Sequence, residues 1–259
     1  MRRLFSALGV FLVLGFTVFG SALADDPTPE PPHDWRSKEA VVPALPVPPH
    51  GGGVAGPQIV GGSLADPGEY PWQVALVYSA DLDSDFEDPF EGFFCGGVLL
   101  DPTHVLTAAH CITFDFGLYV HPVWIDVVLG VNTLSDGPTA GVSGQRIGVD
   151  GVFAHAAHNP DTFDSDLALV RLESPATLDA NTDVISYTHL FDSDLFDPGT
   201  MATVTGWGQT SVSDPASDDL REANVDIVSN TTCNGPSAYN GLVTPNMLCA
   251  GPAGGWRVG

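Results

Sequence analysis

Leu106-Thr107-Ala108-Ala109-His110-Cys111 crowds small apolar residues around a single imidazole. Imidazole is the side chain whose ordinary pKa lies nearest neutrality, so a tightly held one suits a general base. A lone histidine of this kind also fits a core role, satisfied by a backbone carbonyl. This one has company. Asp164-Ser165-Asp166-Leu167-Ala168-Leu169-Val170-Arg171-Leu172 opens with acids and runs into apolar residues that read as a buried strand. Ile59-Val60-Gly61-Gly62 lies upstream and Val204-Thr205-Gly206-Trp207-Gly208 downstream.

Between these stretches the chain reads as short strands joined by turn-rich loops. Gln73–Tyr78, Gly96–Leu100, Val105–Thr107, Trp124–Leu129, Gln145–His155 and Leu167–Leu172 form a first set. Met201–Gly208, Leu220–Val228 and Met247–Ala250 form a second. Gly, Pro and Asp separate them and no amphipathic helix intervenes, which argues for an all-β barrel or sandwich.

Taken in order, the four stretches resemble the trypsin/chymotrypsin family of serine proteases, over Ile59 to about Gly251. The resemblance implies an all-β double barrel over residues 59–259. The first six-stranded barrel occupies about 59–172, and the second, about 200–259, is incomplete with about three strands. It implies a serine-type endopeptidase acting on protein or peptide, with His110 as general base and Asp166 as the acid that orients it. It also pairs Cys95 with Cys111 and Cys233 with Cys249, among three connectivities that four cysteines allow. Each bridge would contribute roughly 3 kcal/mol in the chain-entropy model. A metal site is the competing use of cysteines, but no Cys-x-x-Cys or Cys/His cluster is present in the sequence.

The family's nucleophile lies in a Gly-Asp-Ser-Gly-Gly-Pro stretch beyond the cysteine that Cys249 matches. Here Cys249 is followed by Ala250-Gly251-Pro252-Ala253-Gly254-Gly255-Trp256-Arg257-Val258-Gly259. Ser165 and Ser143 read as turn residues instead. The serine, the oxyanion donors and the specificity pocket are therefore missing, and the expectation is a chain inactive by the serine mechanism. The alternative is a non-catalytic, protease-like binding module. A half-built second barrel is further expected to leave a strand edge unpaired and to expose Val225, Ile227, Met247 and Leu248.

Ahead of these elements, Arg2 and Arg3, an apolar run from Leu4 to Gly20 and Ala22-Leu23-Ala24 read as a secretory signal over residues 1–24. An uncleaved anchor is the alternative, since the run nearly spans a bilayer; no later stretch does. The expected location is secreted, extracellular or periplasmic. Residues 25–58, rich in proline, bury little and read as a linker or pro-segment. The resemblance favours a pro-segment, cut after Gln58 so that a new ammonium on Ile59 turns inward. Family members usually carry a basic residue at the position of Gln58, so the activating protease is not trypsin-like, or the cut is not made.

Asp and Glu number 32 against eight Lys and Arg, for a formal charge of −24. Nucleic acid is a poor partner for such a surface. No cofactor is implied. Asp81, Asp83, Asp85, Glu87, Asp88 and Glu91, and again Asp192, Asp194 and Asp197, raise calcium as a side reading. Phe86 stands where an EF-hand loop needs glycine, and a solvated acidic surface accounts for the same residues. A sequon, Asn230-Thr231-Thr232, matters only in a glycosylating host. His104, His121, His155, His158 and His189 show no ligand spacing and receive no role.

Overall fold

The computed structural model describes residues 62–80, 84–114, 118–138, 144–186, 193–210 and 215–252. The expected signal, the pro-segment, Gln58, Ile59, Asp81, Asp83, Ser143, His189 and Asp192 lie outside the described residues. No helix among the described residues is long and apolar enough to cross a membrane.

The strands in chain order are β1 (Ser63–Leu64), β2 (Gln73–Tyr78), β3 (Phe93–Asp101), β4 (His104–Thr107), β5 (Thr113–Phe114), β6 (Leu118–Tyr119), β7 (Ile125–Leu129), β8 (Gln145–Ala154), β9 (Ala168–Leu172), β10 (Met201–Gly206), β11 (Arg221–Val228) and β12 (Cys249–Pro252). Two four-residue helices, α1 (Pro89–Gly92) and α2 (Asn230–Cys233), are the α-helices among the described residues. Asp88 starts α1 by accepting the Phe90 amide proton, with Pro89 at the first helical position.

Six strands close into an antiparallel barrel in the order β2-β3-β4-β9-β8-β7. The six first-set stretches each hold one of these strands, with ends displaced by a few residues. Apolar side chains at alternate positions fill the interior: Val74 and Leu76 from β2, Val127 and Leu129 from β7, Ala168, Val170 and Leu172 from β9. β9 alternates cleanly, with Leu169 and Arg171 outward. β2 reads as an unbroken apolar run because both its faces are covered. Val74 and Leu76 point into the barrel, while Ala75 and Val77 join a second cluster with Val128, Leu134, Trp207 and Leu220.

That second cluster explains the Gly206-Trp207-Gly208 stretch. Trp207 is fully buried, packs edge-on against Phe93 at 6.0 Å and donates its indole N–H to the Asn132 carbonyl at 2.8 Å. A buried indole needs such a partner, and here it fastens the second sheet to the outside of the barrel. The Tyr70 hydroxyl adds a further tie by donating to Glu222 of β11. Burial and that carboxylate together hold the Tyr70 phenol above its ordinary value.

Among the described residues the second sheet has four strands: β11 pairs with β1, β10 and β12. Thus Ser63–Leu64, expected with the first barrel, belongs to the second sheet, and the barrel proper begins at Gln73. Exposure there differs from expectation. Leu248 is 58% exposed, but Ile227 is only 4% exposed, because its strand is flanked by β10 and β12. Val225 and Met247 are half-buried, whereas Met201 and Val204 on β10 are exposed.

Candidate active site

β4 and β9 lie antiparallel, with Thr107 opposite Ala168 and His104 opposite Arg171. The end of one strand and the start of the other therefore share one rim of the barrel. Just past Thr107 the chain makes a 3-10 turn, Ala109–Cys111, and just before Ala168 comes Asp166. Register alone thus brings His110 and Asp166 together, although 56 positions separate them.

The turn is held on several sides. Ala109 is fully buried in the barrel core, and the Thr113 hydroxyl donates to its carbonyl at 2.9 Å. Thr107 donates to the Gly96 carbonyl at 2.8 Å, and a disulfide joins Cys111 to Cys95 on β3. The small residues Ala108 and Ala109 let the turn sit this close to the barrel end.

Asp166 grips His110 twice. Its Oδ1 accepts the His110 backbone N–H at 2.8 Å, and its Oδ2 lies 2.7 Å from Nδ1. A carboxylate only accepts, so the pairing assigns the ring proton to Nδ1 and leaves a lone pair on Nε2. The imidazole is 48% exposed and the carboxylate 21%, so the acid is the more sheltered partner. Phe163 stands edge-on to the ring at 5.9 Å. The Cys111 sulfur lies 3.6 Å from Nε2. Donor atoms of Cys95, His110 and Cys111 are close together, but the two sulfurs are bonded to each other and are not thiolate ligands. The second disulfide joins Cys233 to Cys249.

Among the described residues no serine hydroxyl hydrogen-bonds the His110 ring. Ser165 is in the left-handed region, φ 55°, and its carbonyl takes the Leu167 amide proton. The other described histidines separate into local roles. His104 sits against Asp101 at 3.0 Å, His121 caps the 3-10 turn Pro122–Trp124, and His155 accepts the Ala157 amide proton. His158 is the exception. Its side chain is 6% exposed, its Nδ1 lies 3.7 Å from Asp166 Oδ1, and neither ring nitrogen has a hydrogen-bond partner. Nothing in the sequence distinguished it, because the loop geometry that folds it onto Asp166 has no local motif.

Comparisons with known proteins bear on the chain as a whole. Residues 59–257 match the family model described as Trypsin. The chain belongs to the trypsin family. Over 201 residues it is 31% identical to the suppressor of tumorigenicity 14 protein homolog of Bos taurus, covering 75% of this chain and 21% of that protein. Over 197 residues it is 34% identical to the tissue-type plasminogen activator of Sus scrofa, covering 75% of this chain and 33% of that protein. This trypsin-family chain therefore spans a third or less of the length of these curated relatives.

Proposed function

We propose that this chain carries the base and orienting acid of a secreted serine endopeptidase that cleaves protein or peptide substrates. His110 is the general base, accepting a proton at Nε2 and passing it to the leaving group. Asp166 fixes the Nδ1–H tautomer and stabilises the imidazolium that forms. The observation that carries this is the double grip of Asp166 on the backbone and ring of His110, which assigns the ring proton to Nδ1 and leaves a lone pair on Nε2. Two disulfides fit export to an oxidising compartment, and the expected signal over residues 1–24 supplies the route. Activation by a cut after Gln58, freeing Ile59, belongs to the same reading.

The nucleophile does not belong to this sequence, since none of its serines lies in a Gly-Asp-Ser-Gly-Gly-Pro stretch. The chain by itself is accordingly inactive. The test is a fluorophosphonate probe, with the expected result that the purified 259-residue chain takes up no label. Stoichiometric labelling that disappears in His110→Ala would overturn the inactivity and reassign the nucleophile. For the enzyme reading itself, a Gly-Asp-Ser-Gly-Gly stretch encoded past the Gly259 codon supports a protease. A stop codon there in an otherwise intact locus supports the second reading, a protease-like binding module. Calcium on the acidic loops is a lesser proposal, abandoned if millimolar calcium leaves the thermal midpoint unchanged.

A further inference from the structure

Two of the residues that touch the His110 ring, Phe163 and Asp166, lie on one loop, and between them Asp164 reaches out of it. Its carboxylate accepts from the Thr244 hydroxyl and from Asn246 Nδ2, the latter at 3.2 Å to each oxygen. Both partners come from the segment ahead of β12, some 80 positions along the chain. On either side of Asp164 stands a non-glycine residue in the left-handed region, Phe163 at φ 57° and Ser165 at φ 55°. Side chains avoid that region unless their surroundings enforce it. The loop is braced locally, with the Asp164 carbonyl accepting from the Asn159 amide and Asn159 Oδ1 accepting from Asp161 and Thr162. Those bonds shape the loop but tie it to nothing else. Thr244 and Asn246 do.

Their own segment is firmly placed. Asn230 Nδ2 donates to the carbonyls of Thr244 and Met247 at 3.1 and 3.0 Å, and Asn234 pairs in both directions with Val243. The Cys233–Cys249 disulfide closes the same unit. An anchored donor pair thus meets a strained loop at one carboxylate.

We propose that Asp164 is a positioning residue for the His110–Asp166 pair, through which Thr244 and Asn246 set the placement of the imidazole. Phe163 lies one residue before the anchor and reaches the ring edge. Asp166 lies two residues after it and reaches Nδ1. Release of the anchor lets both strained residues relax, and the two ring contacts loosen together. The consequence is that the part of the chain beyond the barrel controls the geometry of a pair built at the barrel rim. The Thr244 hydroxyl first, then Asn246, holds Asp164 below the usual carboxylate range, so the anchor is charged and intact at neutral pH. The inference rests on His110 and Asp166 being base and orienter, but its test involves no substrate and stands apart from any labelling result.

The readout is the His110 Nδ1–H proton, followed by NMR in the nitrogen-15-labelled full chain, and its exchange with water. Asp164→Ala is expected to speed that exchange about tenfold, since the ring hydrogen bond opens more often. The Thr244→Val/Asn246→Ala double variant is expected to do the same. Asp164→Asn, which keeps an acceptor at Oδ1, stays within about twofold of the parent. A purely structural loss would not be rescued in this graded way. Parent-like exchange in both Asp164→Ala and the double variant overturns the proposal, as does Asp164→Asn behaving like Asp164→Ala. If Asp164→Ala does not fold, the double variant, which changes half-buried Thr244 and exposed Asn246 and leaves the loop's own residues intact, decides.

Discussion

Two adjacent glycines on β3, Gly96 and Gly97, face different surroundings, and alanine at each gives a paired test of how closely β4 is packed. A methyl at Gly97 would stand 2.8 Å from the Leu106 carbonyl oxygen and 2.8 Å from Val105 Cγ1, with Leu76 Cδ1 at 3.4 Å. The first of these is backbone, so it cannot rotate away; β3 and β4 must separate. Overpacking of this kind costs about 1–3 kcal/mol. A domain of this size loses about 2–4 °C per kcal/mol, so the thermal midpoint of Gly97→Ala falls by roughly 2–12 °C. A methyl at Gly96 meets nothing nearer than Gln73 Nε2 at 3.6 Å, an ordinary contact. Gly96→Ala is therefore neutral or stabilises by up to about 1 kcal/mol through the unfolded chain. Urea melts followed by circular dichroism compare the three proteins, with an unchanged slope confirming the same transition. Because Val105 and Leu106 lead directly into the His110 turn, the Gly97→Ala chain also shows a displaced His110 ring signal. Equal midpoints for the two alanine variants would refute the close approach of these strands.

Arg146 is 16% exposed, bonds Asp126 at 2.8 Å and donates to the carbonyls of Phe86, Glu87 and Tyr78. Arg146→Met strands the equally buried Asp126 and should cost about 3–5 kcal/mol in a urea melt. Replacing Cys95 and Cys111 by serine frees the His110 turn from β3 and should cost roughly 3 kcal/mol, read the same way. Asp164, with a folded-state pKa below its unfolded value, stabilises above about pH 4 and loses that contribution as pH falls through the lowered value. Thermal midpoints of the parent and of Thr244→Val/Asn246→Ala, measured from pH 7 downward, should differ at neutrality and converge in acid. A gap that widens in acid would contradict the assigned direction.

The barrel was legible because alternation along a strand has a short period, and the His110–Asp166 pair was legible through the family resemblance carried by the Leu106–Cys111 and Asp164–Leu172 stretches. Alternation along β9 marked a strand with one face inward, and the acid just ahead of it had to sit at a strand end. What escaped was set by contacts with no local signature. Ser63–Leu64 is too short to show alternation and becomes a strand only because Glu222 and Arg221 face it. The β5–β6 hairpin is equally short. Ile227 was misjudged because its cover comes from β10 and β12, and sequence cannot show which strands flank it. Phe163, His158 and Asp164 lie in a loop whose course depends on left-handed non-glycine residues, which residue type does not announce.

Strand pairing also fixes the order in which a growing chain can satisfy itself. All six barrel strands lie between Gln73 and Leu172, so hydrogen bonding around the ring needs nothing translated later. Ser63 and Leu64, made earlier still, wait for Glu222 and Arg221, and the loop bearing Asp166 waits for Thr244. The earliest strand among the described residues is thus among the last to find its neighbour, and such distant pairings form slowly. A nascent chain halted after Leu172 would hold imidazole and carboxylate on adjoining strand ends while the clasp that steadies them had yet to be synthesised.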